Sequence, residues 1–298
     1  MRIDWYVENQ TNEKLLLKSF LKRKYISKRF LSKVKYRGGN LQVNDKDVRV
    51  REELRSGDKV SVFLPKEEAS DHLNVSDKEL EVLYEDSHYL IVDKPSGVAS
   101  VPSSLYPNHT IANRVKGYIQ TKGYYHQTIH IVNRLDKDTS GIMLFAKHSL
   151  AHSYLDRLLQ NDEVYKEYVA FVHNRLDNSH GVIDEPIARS SDSIIKRRVH
   201  LSGKSSKTEY WVMETYESVS KVKIQLHTGR THQIRVHFSH DGHPLVGDTL
   251  YGPESTGIKR QALHCVKVSF RHPFTNEQFT IVSPLAADMT ALEENLKK

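Results

Sequence analysis

One short segment constrains this chain more than any other, because it places an acid between two runs of strand-forming residues. Asp136 follows the apolar run at residues 128–132 and precedes the Thr-Ser-Gly turn at residues 139–141, and a second apolar run occupies residues 142–146. An acid at such a junction is held in place by the flanking strands while its side chain faces outward, which suits a nucleophile or a base. The same pattern is also ordinary turn chemistry, in which Asp and Ser bond local amides. The segment alone therefore leaves both interpretations open.

Composition excludes several classes of protein. The 298 residues suffice for one large domain or two ordinary ones, and the 38% hydrophobic and 27% charged residues are typical of a globular protein. No apolar run approaches the ~20 residues that span a bilayer, and residues 1–5 lack the apolar core of a signal peptide. The single cysteine, Cys265, excludes an internal disulfide framework and a cysteine-based zinc cage. We therefore expect a soluble cytoplasmic protein.

Positive charge is concentrated in the first fifth of the chain. The net charge is +7, yet residues 1–64 hold sixteen Lys or Arg against eight Asp or Glu, and the remainder balances at −1. Such an asymmetry indicates an appended module that meets a polyanion, most often nucleic acid, although a merely soluble basic face has the same composition. Helical spacing at residues 13–22 and 27–37 predicts two helices, and Lys28 and Arg29 are among the cations expected to contact phosphates.

Three segments give this basic module a resemblance to a known domain. They are residues 26–29 (Ile-Ser-Lys-Arg), the turn at residues 39–44, and residues 54–60 (Leu-Arg-Ser-Gly-Asp-Lys-Val). On these residues the module resembles the RNA-binding domain named after ribosomal protein S-four, which implies a domain at residues 1–64 that grips structured RNA without chemistry. The polar stretch at residues 65–78 is predicted to be a linker. A larger domain is expected at residues 79–298.

Four segments of the larger domain join the Asp136 loop: residues 93–97 (Asp-Lys-Pro-Ser-Gly), 166–170 (Lys-Glu-Tyr-Val-Ala), 227–237 (His-Thr-Gly-Arg-Thr-His-Gln-Ile-Arg-Val-His) and 261–265 (Gln-Ala-Leu-His-Cys). Together with the Arg-Leu-Asp-x-x-Thr-Ser-Gly loop they closely resemble the RluA-type family of RNA pseudouridine synthases, across roughly residues 79–285. The resemblance implies an α+β fold with a central mixed, largely antiparallel sheet. It also implies isomerisation of a uridine in RNA to its carbon-linked isomer, with no cofactor and no metal.

The resemblance assigns three catalytic residues. Asp136 matches the essential aspartate, which acts either as nucleophile or as base and must be ionised for both. Arg235 matches the arginine that pairs with it and keeps it charged. Tyr168 matches the active-site tyrosine, whose ring would stack on a flipped base and whose hydroxyl would help to remove the carbon-5 proton. Outside the motif, an isolated tyrosine in a strand usually packs in a core.

The predicted contacts to the substrate are more numerous: Arg134, Leu135, Thr139, Leu226, Arg230, Leu263, Lys28 and Arg29. The arginines would contact phosphate or orient loops, and the leucines would form apolar walls, although buried leucines usually serve only the core. A basic, Ser-rich insertion at residues 189–207 is either a loop that faces RNA or a solvated surface loop. The family has histidine where this chain has Asn133, so we expect altered loop or phosphate contacts and retained chemistry.

Several alternatives remain open on the sequence. A non-catalytic RNA-binding or ribosome-assembly factor would keep the fold and lose the reaction. A glycosidase would pair Asp136 with Asp138, but two acids in one turn need not converge on one bond. His232 and His237 are spaced for neither a helical nor a strand metal site, so no metal is expected. We expect a monomer acting on structured RNA, ribosomal (large subunit) rather than transfer RNA, with no membrane partner.

Overall fold

The structure is a computed structural model that describes residues 1–8, 14–69, 72–254 and 257–298. Its helices are α1 (Leu17–Arg23), α2 (Lys28–Tyr36), α3 (Ile111–Thr121), α4 (Ser149–Gln160), α5 (Gln233–His240) and α6 (Ala287–Leu296). The strands before residue 65 are β1 (Arg2–Tyr6), β2 (Leu15–Leu16), β3 (Asn40–Val43), β4 (Lys46–Asp47), β5 (Glu53–Leu54) and β6 (Lys59–Phe63). The later strands are β7 (Glu81–Glu85), β8 (Tyr89–Lys94), β9 (His130–Ile131), β10 (Ser140–Ala146), β11 (Tyr165–His173), β12 (His180–Asp184), β13 (Ile187–Arg189), β14 (Arg197–Val199), β15 (Lys207–Thr215), β16 (Val219–Leu226), β17 (Leu263–Arg271) and β18 (Gln278–Val282). No helix in these ranges is long and apolar enough to cross a bilayer.

The basic N-terminal region forms a small sheet of its own with two short helices. The strand order is β1-β6-β3-β4, and each neighbouring pair is antiparallel. Helix α2 begins where predicted, because the Ser27 side chain accepts a hydrogen bond of 3.1 Å from the amide of Phe30. Helix α1 starts later than predicted, because Leu15 and Leu16 pair with β5 instead. Residue 13 of that predicted helix lies outside the described residues.

The rest of the chain is built around one ten-stranded mixed sheet. Its order is β12-β15-β16-β11-β17-β10-β8-β7, with β18 paired to β17 and β9 paired to β10. The β10–β17 pair is parallel and the other pairs are antiparallel, as the predicted mixed, largely antiparallel sheet requires. All seven residues of β10 are buried, so both faces of the sheet are covered at this strand. The predicted α+β fold is confirmed.

The parallel β10–β17 pair depends on a glycine at the end of the Asp136 loop. Gly141 lies opposite Cys265 in this pair and has φ of +108°. A Cβ atom at this position would lie 2.3 Å from the carbonyl oxygen of Cys265. The missing side chain therefore lets the strand that follows the loop reach its partner.

The N-terminal region shares a hydrophobic cluster with the larger domain. Leu150 and Tyr154 of α4 belong to the apolar core of residues 3–64, and Phe274 packs against it. The Tyr154 hydroxyl donates a 2.7 Å hydrogen bond to the carbonyl of Lys24. The guanidinium of Arg157 lies 3.6 Å from the centre of the ring of Tyr25. Helix α4 therefore carries the basic module on one side.

The first part of the predicted linker is bound to the larger domain and is not a free tether. The Glu67 carboxylate lies 2.5 Å from Nε2 of His130 and accepts a 3.1 Å hydrogen bond from the amide of Ser149. Although burial raises it, hydrogen bonds from His130 and Ser149 lower the pKa of Glu67 to about 2. The strand predicted at residues 128–132 is shorter in the structure and forms β9, and just before it the amide of Gln127 donates a 2.7 Å hydrogen bond to the carbonyl of Glu67.

We predict that Gly141→Ala is far more destabilising than Gly123→Ala, although both glycines have positive φ. The first variant meets the carbonyl of Cys265, whereas no atom lies within 4 Å of a Cβ at Gly123. Backbone strain and overpacking each cost about 1–3 kcal/mol, so Gly141→Ala should lose roughly 2–5 kcal/mol and Gly123→Ala about 1–2. Urea unfolding of both variants measures this difference, and equal losses would show that the close approach to β17 is not a constraint.

Candidate active site

A large cleft of about 920 Å³ opens beside the Asp136 loop. Its lining comes from the loop at residues 131–137, from β11 through Lys166 and Tyr168, from residues 226–231, and from the far end of α4. A smaller cavity of about 60 Å³ adjoins it and is lined by Arg134, Leu135, Asp136, Thr139, Tyr168, Leu226, Arg230, His232, Gln233, Ile234, Arg235 and Leu263. The three residues predicted to be catalytic therefore lie around one cavity, although they come from three distant parts of the sequence.

The loop that carries Asp136 is fixed by hydrogen bonds to the backbone. The amide of Thr139 donates to the carbonyl of Asp136 at 3.1 Å, which closes a tight turn. The amide of Leu135 donates to Oγ of Ser100 at 3.1 Å, and that hydroxyl donates to the Leu135 carbonyl at 2.6 Å. These bonds hold the backbone while the Asp136 side chain stays 24% exposed to the cleft.

Asn133 anchors the same loop to the central strand β10. Its Oδ1 accepts a 2.7 Å hydrogen bond from the amide of Leu144, and its Nδ2 donates to the carbonyl of Ile142 at 3.3 Å. A side chain that both donates and accepts can replace a strand residue in this position. The asparagine at the place of the family histidine therefore serves loop geometry.

Arg235 joins the catalytic loop to a second, buried acid. Its Nη1 donates to Oδ2 of Asp136 at 3.1 Å. Its Nε and Nη2 donate to the two oxygens of Asp248 at 2.7 and 2.8 Å, which is a bidentate pair. Burial lowers the pKa of Arg235, but the hydrogen bonds and charges of Asp248 and Asp136 outweigh it and raise the pKa above the usual range. The guanidinium is therefore permanently charged beside the carboxylate of Asp136.

Tyr168 lies deep at the base of the cavity. It is 6% exposed and faces Cys265 across the β11–β17 pair. Burial raises the pKa of its hydroxyl well above the usual range, and the neighbouring Cys265 and Asp136 raise it further. The ring and the protonated hydroxyl are therefore placed to stack on a base and to donate a hydrogen bond, and the part that the hydroxyl plays in removing the carbon-5 proton stays a prediction.

The other predicted substrate contacts divide into three groups. Leu226 and Leu263 line the small cavity as apolar walls, and Arg134 is exposed at the cleft. Arg230 is also exposed, and its Nε donates to the carbonyl of Ser205 at 3.1 Å. All four border space that a substrate could fill.

Two predicted contacts are largely buried and also hold the loop. Thr139 is 2% exposed and its hydroxyl accepts from Nε2 of Gln261 at 3.2 Å, so its role is to hold the turn. Leu135 is 7% exposed and belongs to the main hydrophobic core. Both residues also belong to the lining of the small cavity, so the expectation that they contact RNA stays a prediction.

The last pair of predicted contacts lies outside the cleft. Lys28 and Arg29 are exposed at the start of α2, and neither belongs to the lining of the two cavities. Any contact they make is with a part of the substrate remote from the reacting base.

The structure adds residues that sequence reasoning did not assign. Lys94 is fully buried, and its Nζ donates to the carbonyls of Pro95, Val98 and Lys137 at 2.9, 2.7 and 2.7 Å. Burial lowers the pKa of Lys94 to about 7. It ties the segment at residues 93–97 to the Asp136 loop, which is why that motif lies beside the loop in space.

Asp248, Lys166 and His232 were also missed. Lys166 lies two residues before Tyr168 in the motif at residues 166–170. It lines the cleft, and burial lowers its pKa. His232 lay within the 227–237 motif, and its Nε2 is 3.9 Å from Oδ2 of Asp136. For Asp248 the only signal was an acid after a glycine, Gly247, which itself has φ of +78°.

Comparison with known proteins defines the class to which this site belongs. Residues 88–240 match the family model described as RNA pseudouridylate synthase, a range that contains Asp136, Tyr168 and Arg235. The chain therefore belongs to the RNA pseudouridine synthase family, whose members are isomerases. The family predicted from the sequence motifs is confirmed.

Individual relatives agree over most of the chain. An uncharacterized RNA pseudouridine synthase of Bacillus subtilis, YjbO, is 46% identical over 267 residues, covering 90% of this chain and 94% of that protein. The ribosomal large subunit pseudouridine synthase D of Haemophilus influenzae is 33% identical over 278 residues, covering 86% and 83%. The solved structure of human RNA pseudouridylate synthase domain containing 1 has a TM-score of 0.59 at 26% identity, covering 74% of this chain and 96% of that one. That of human RNA pseudouridylate synthase domain containing 4 has a TM-score of 0.61 at 22% identity, covering 73% and 93%, and shares the fold.

We predict that Asp248→Asn destabilises the fold by about 3 kcal/mol, because it leaves the Arg235 charge buried with less compensation. Asp288→Asn is a matched control, since Asp288 also forms a bidentate pair, with Arg260, at 2.7 Å through both oxygens. The side chain of Asp288 is 43% exposed whereas that of Asp248 is 1% exposed, so the control should lose only about 1 kcal/mol. Chemical denaturation gives both values, and a larger loss for the exposed pair would contradict the role assigned to burial.

Proposed function

We propose that this enzyme isomerises uridine to pseudouridine in large-subunit ribosomal RNA, and that Asp136 is the residue on which the reaction depends. The observation that carries the proposal is the Asp136 carboxylate, held by Arg235 at 3.1 Å at the mouth of a cavity whose base is Tyr168. The choice of ribosomal RNA is supported by the name of the Haemophilus influenzae relative and by the basic N-terminal region.

The two oxygens of Asp136 have different surroundings. Arg235 bonds Oδ2, and the ring of His232 approaches the same atom at 3.9 Å. Within the described ranges no residue forms a hydrogen bond to Oδ1. Oδ1 is therefore the oxygen available to attack carbon or to take up a proton, and the geometry serves both roles of the carboxylate.

The reaction requires the target base to leave the RNA stack. A base inside a helix cannot reach Oδ1 of Asp136, so it must flip into the cavity at a cost of about a few kcal/mol. Leu226 and Leu263 supply the apolar walls of the cavity. Tyr168 supplies an aromatic ring at its bottom, against which the uracil would pack. The bond from the sugar C1′ to N1 then breaks and one from C1′ to C5 forms, while the C5 proton leaves and N1 gains a proton. The products balance the substrate, as an isomerisation requires.

The N-terminal region would supply affinity for the rest of the RNA. Its second helix, α2, exposes Lys28, Arg29 and Lys35, Lys33 is partly exposed, and Arg37 is exposed just after the helix. Phosphate contacts of this kind give binding that is strong, sequence-independent and sensitive to salt. We infer that residues 1–64 are the docking module, of the kind named after ribosomal protein S-four, and that the protein acts as a monomer.

The proposed compartment is the cytoplasm. Cys265 is a free, buried thiol, which is compatible with a reducing environment. Ribosomal RNA in that compartment would be the accessible substrate.

We predict that the protein releases tritium from RNA labelled at carbon 5 of uracil and that Asp136→Ala abolishes the release, because the carboxylate is lost. Large-subunit ribosomal RNA and transfer RNA are offered separately, and we expect release from ribosomal RNA. Asp138→Asn is the matched control: its side chain is 38% exposed and ion-paired with Lys137 at 3.5 Å, so its release should stay within about threefold of wild type.

Each other outcome of this assay identifies one alternative. Tritium release from transfer RNA alone would indicate that the same isomerisation acts on transfer RNA. Salt-sensitive binding with no release from either RNA would indicate a non-catalytic binder. Release of free labelled uracil by the wild type in place of tritium, lost equally in Asp136→Ala and Asp138→Asn, would indicate a glycosidase pair.

We also predict that the double variant Lys28→Gln/Arg29→Gln lowers the salt dependence of RNA binding. The slope of log K against log salt should fall by about 2, one for each phosphate contact removed. The rate of tritium release at saturating RNA should be unchanged, because neither residue lines the cleft. Lys297→Gln/Lys298→Gln removes the same net charge from the C-terminal end and should leave the slope as in wild type. A wild-type slope in the first variant would exclude these two phosphate contacts.

A further inference from the structure

Two hydrogen bonds link a surface hairpin to the ring of His232, which approaches the carboxylate of Asp136. The backbone amide of Arg197, at the start of β14, donates to the hydroxyl of Tyr251 at 2.8 Å. The same hydroxyl lies 2.8 Å from Nδ1 of His232. On the other side of its ring, Nε2 of His232 lies 3.9 Å from Oδ2 of Asp136. Two hydrogen bonds and one separation of 3.9 Å therefore lie between the hairpin and the carboxylate of Asp136.

The chemistry of the donors fixes the tautomer of the histidine. A backbone amide only donates, so the Tyr251 oxygen accepts from Arg197 and must place its own proton elsewhere. In the described part of the chain, His232 Nδ1 is the recorded partner that can accept that proton. Burial lowers the pKa of His232, which keeps the ring neutral although Asp136 opposes the shift. The remaining ring proton is then on Nε2, on the side that faces Asp136.

The position of the ring is also imposed by the backbone. His232 has φ of +57°, in the left-handed region, immediately before α5 begins. A non-glycine residue in that region costs on the order of 1 kcal/mol or more and persists where surrounding contacts enforce it. The ring is 13% exposed and lies between Tyr251 and the carboxylate. Its direction is therefore set by the fold and not by free rotation.

Tyr251 touches both groups that approach Oδ2 of Asp136. Its hydroxyl bonds the ring of His232, and its ring lies 5.0 Å from the guanidinium of Arg235. A displacement of Tyr251 would thus reach Asp136 by two routes, and only the first depends on the hydroxyl.

The surface hairpin of residues 187–199, which contains the Arg197 amide, has the character of a contact surface. The hairpin of residues 187–199 contains four Lys or Arg and one Asp, and Ile194 at its tip is 90% exposed. Cations and an exposed apolar tip suit RNA, whose phosphates and unstacked bases they can contact. Substrate docking would therefore bear directly on the Arg197 amide.

We propose that His232 is a positioning residue for Asp136, held by Tyr251 with its Nε2–H directed at the carboxylate and set by the hairpin of residues 187–199. The present 3.9 Å separation is too long for a hydrogen bond. Docking of RNA on the hairpin closes it, so that Nε2–H donates to Oδ2 and turns Oδ1 toward the uridine. This assignment rests on the proposed RNA reaction and adds a residue and a control element to it.

Single-turnover tritium release tests the assignment, because it separates the rate at saturating RNA from the affinity for RNA. Tyr251→Phe should lower that rate at least tenfold, and His232→Ala about as much or more, with the RNA Kd within about twofold of wild type. His232→Gln places an amide N–H at about the reach of Nε2 and should recover the rate to within about threefold of wild type. Tyr216→Phe is the control, since the hydroxyl of Tyr216 bonds Glu214 and Glu293 and is not part of the cleft lining.

Wild-type rates in Tyr251→Phe and His232→Ala would overturn the proposal, as would equal losses in His232→Gln and His232→Ala. Melting temperatures of the variants identify any that fail to fold. A loss that lies entirely in Kd would assign the residues to RNA affinity and also overturn the positioning role.

A second measurement needs no turnover. Nitrogen NMR of protein labelled in the histidine rings distinguishes the two tautomers, and we expect Nε2–H at His232 in wild type and a mixture in Tyr251→Phe. A Nδ1–H ring in wild type would overturn the inference even in an active enzyme. The expected tautomer in a protein that releases no tritium would instead count against the proposed function alone.

Discussion

The charge of Arg235 is the interaction on which the site depends. Removing a guanidinium from water costs several kcal/mol, and the bidentate bond to Asp248 offsets that cost within the protein itself. Arg235 can therefore offer Nη1 to Asp136 without relying on substrate or solvent for its stability. A lysine could not repeat this arrangement, because a point charge cannot form the two parallel bonds to Asp248 and reach a third oxygen. The Asp136 carboxylate is therefore paired with a cation that Asp248 already holds in position.

The backbone of the Asp136 loop is held in place at three points away from the cleft. Gly141 fixes the end of the Asp136 loop against β17, and Lys94 fixes its middle by binding the Lys137 carbonyl. Asn133 fixes its beginning against β10. With the backbone held at three points, the side chain of Asp136 has few ways to move other than by changing partners at Oδ2. Reaction geometry is therefore controlled by neighbouring donors and not by loop mobility.

The elements with a strong period were predictable from sequence, and the contacts between them were not. The strand β10 and the helix α4 follow continuous or helical apolar patterns, which are local properties of the chain. The pairing of Arg235 with Asp136 came from resemblance, because 99 residues separate them and no periodicity relates them. Asp248 was missed for the same reason, since a buried acid has the same letter as an exposed one. The bond from Gln261 to the hydroxyl of Thr139 was unpredictable for the same reason, since 122 residues separate the two side chains.

Helix α4 relates the two halves of the molecule mechanically. One face binds the basic module through Leu150 and Tyr154, and the far end contributes Leu159 and Gln160 to the cleft. The Glu67 carboxylate also accepts from the amide of Ser149 at the first turn of this helix, where the helix dipole favours negative charge. A module held by apolar packing, and followed by a segment that this partly buried acid fixes, cannot sample orientations as a tethered domain would. In the proposed function, the cations of the module and the cleft would present one geometry to the RNA, and a uridine would be selected by its distance and direction from the docked helix as well as by its neighbours in sequence.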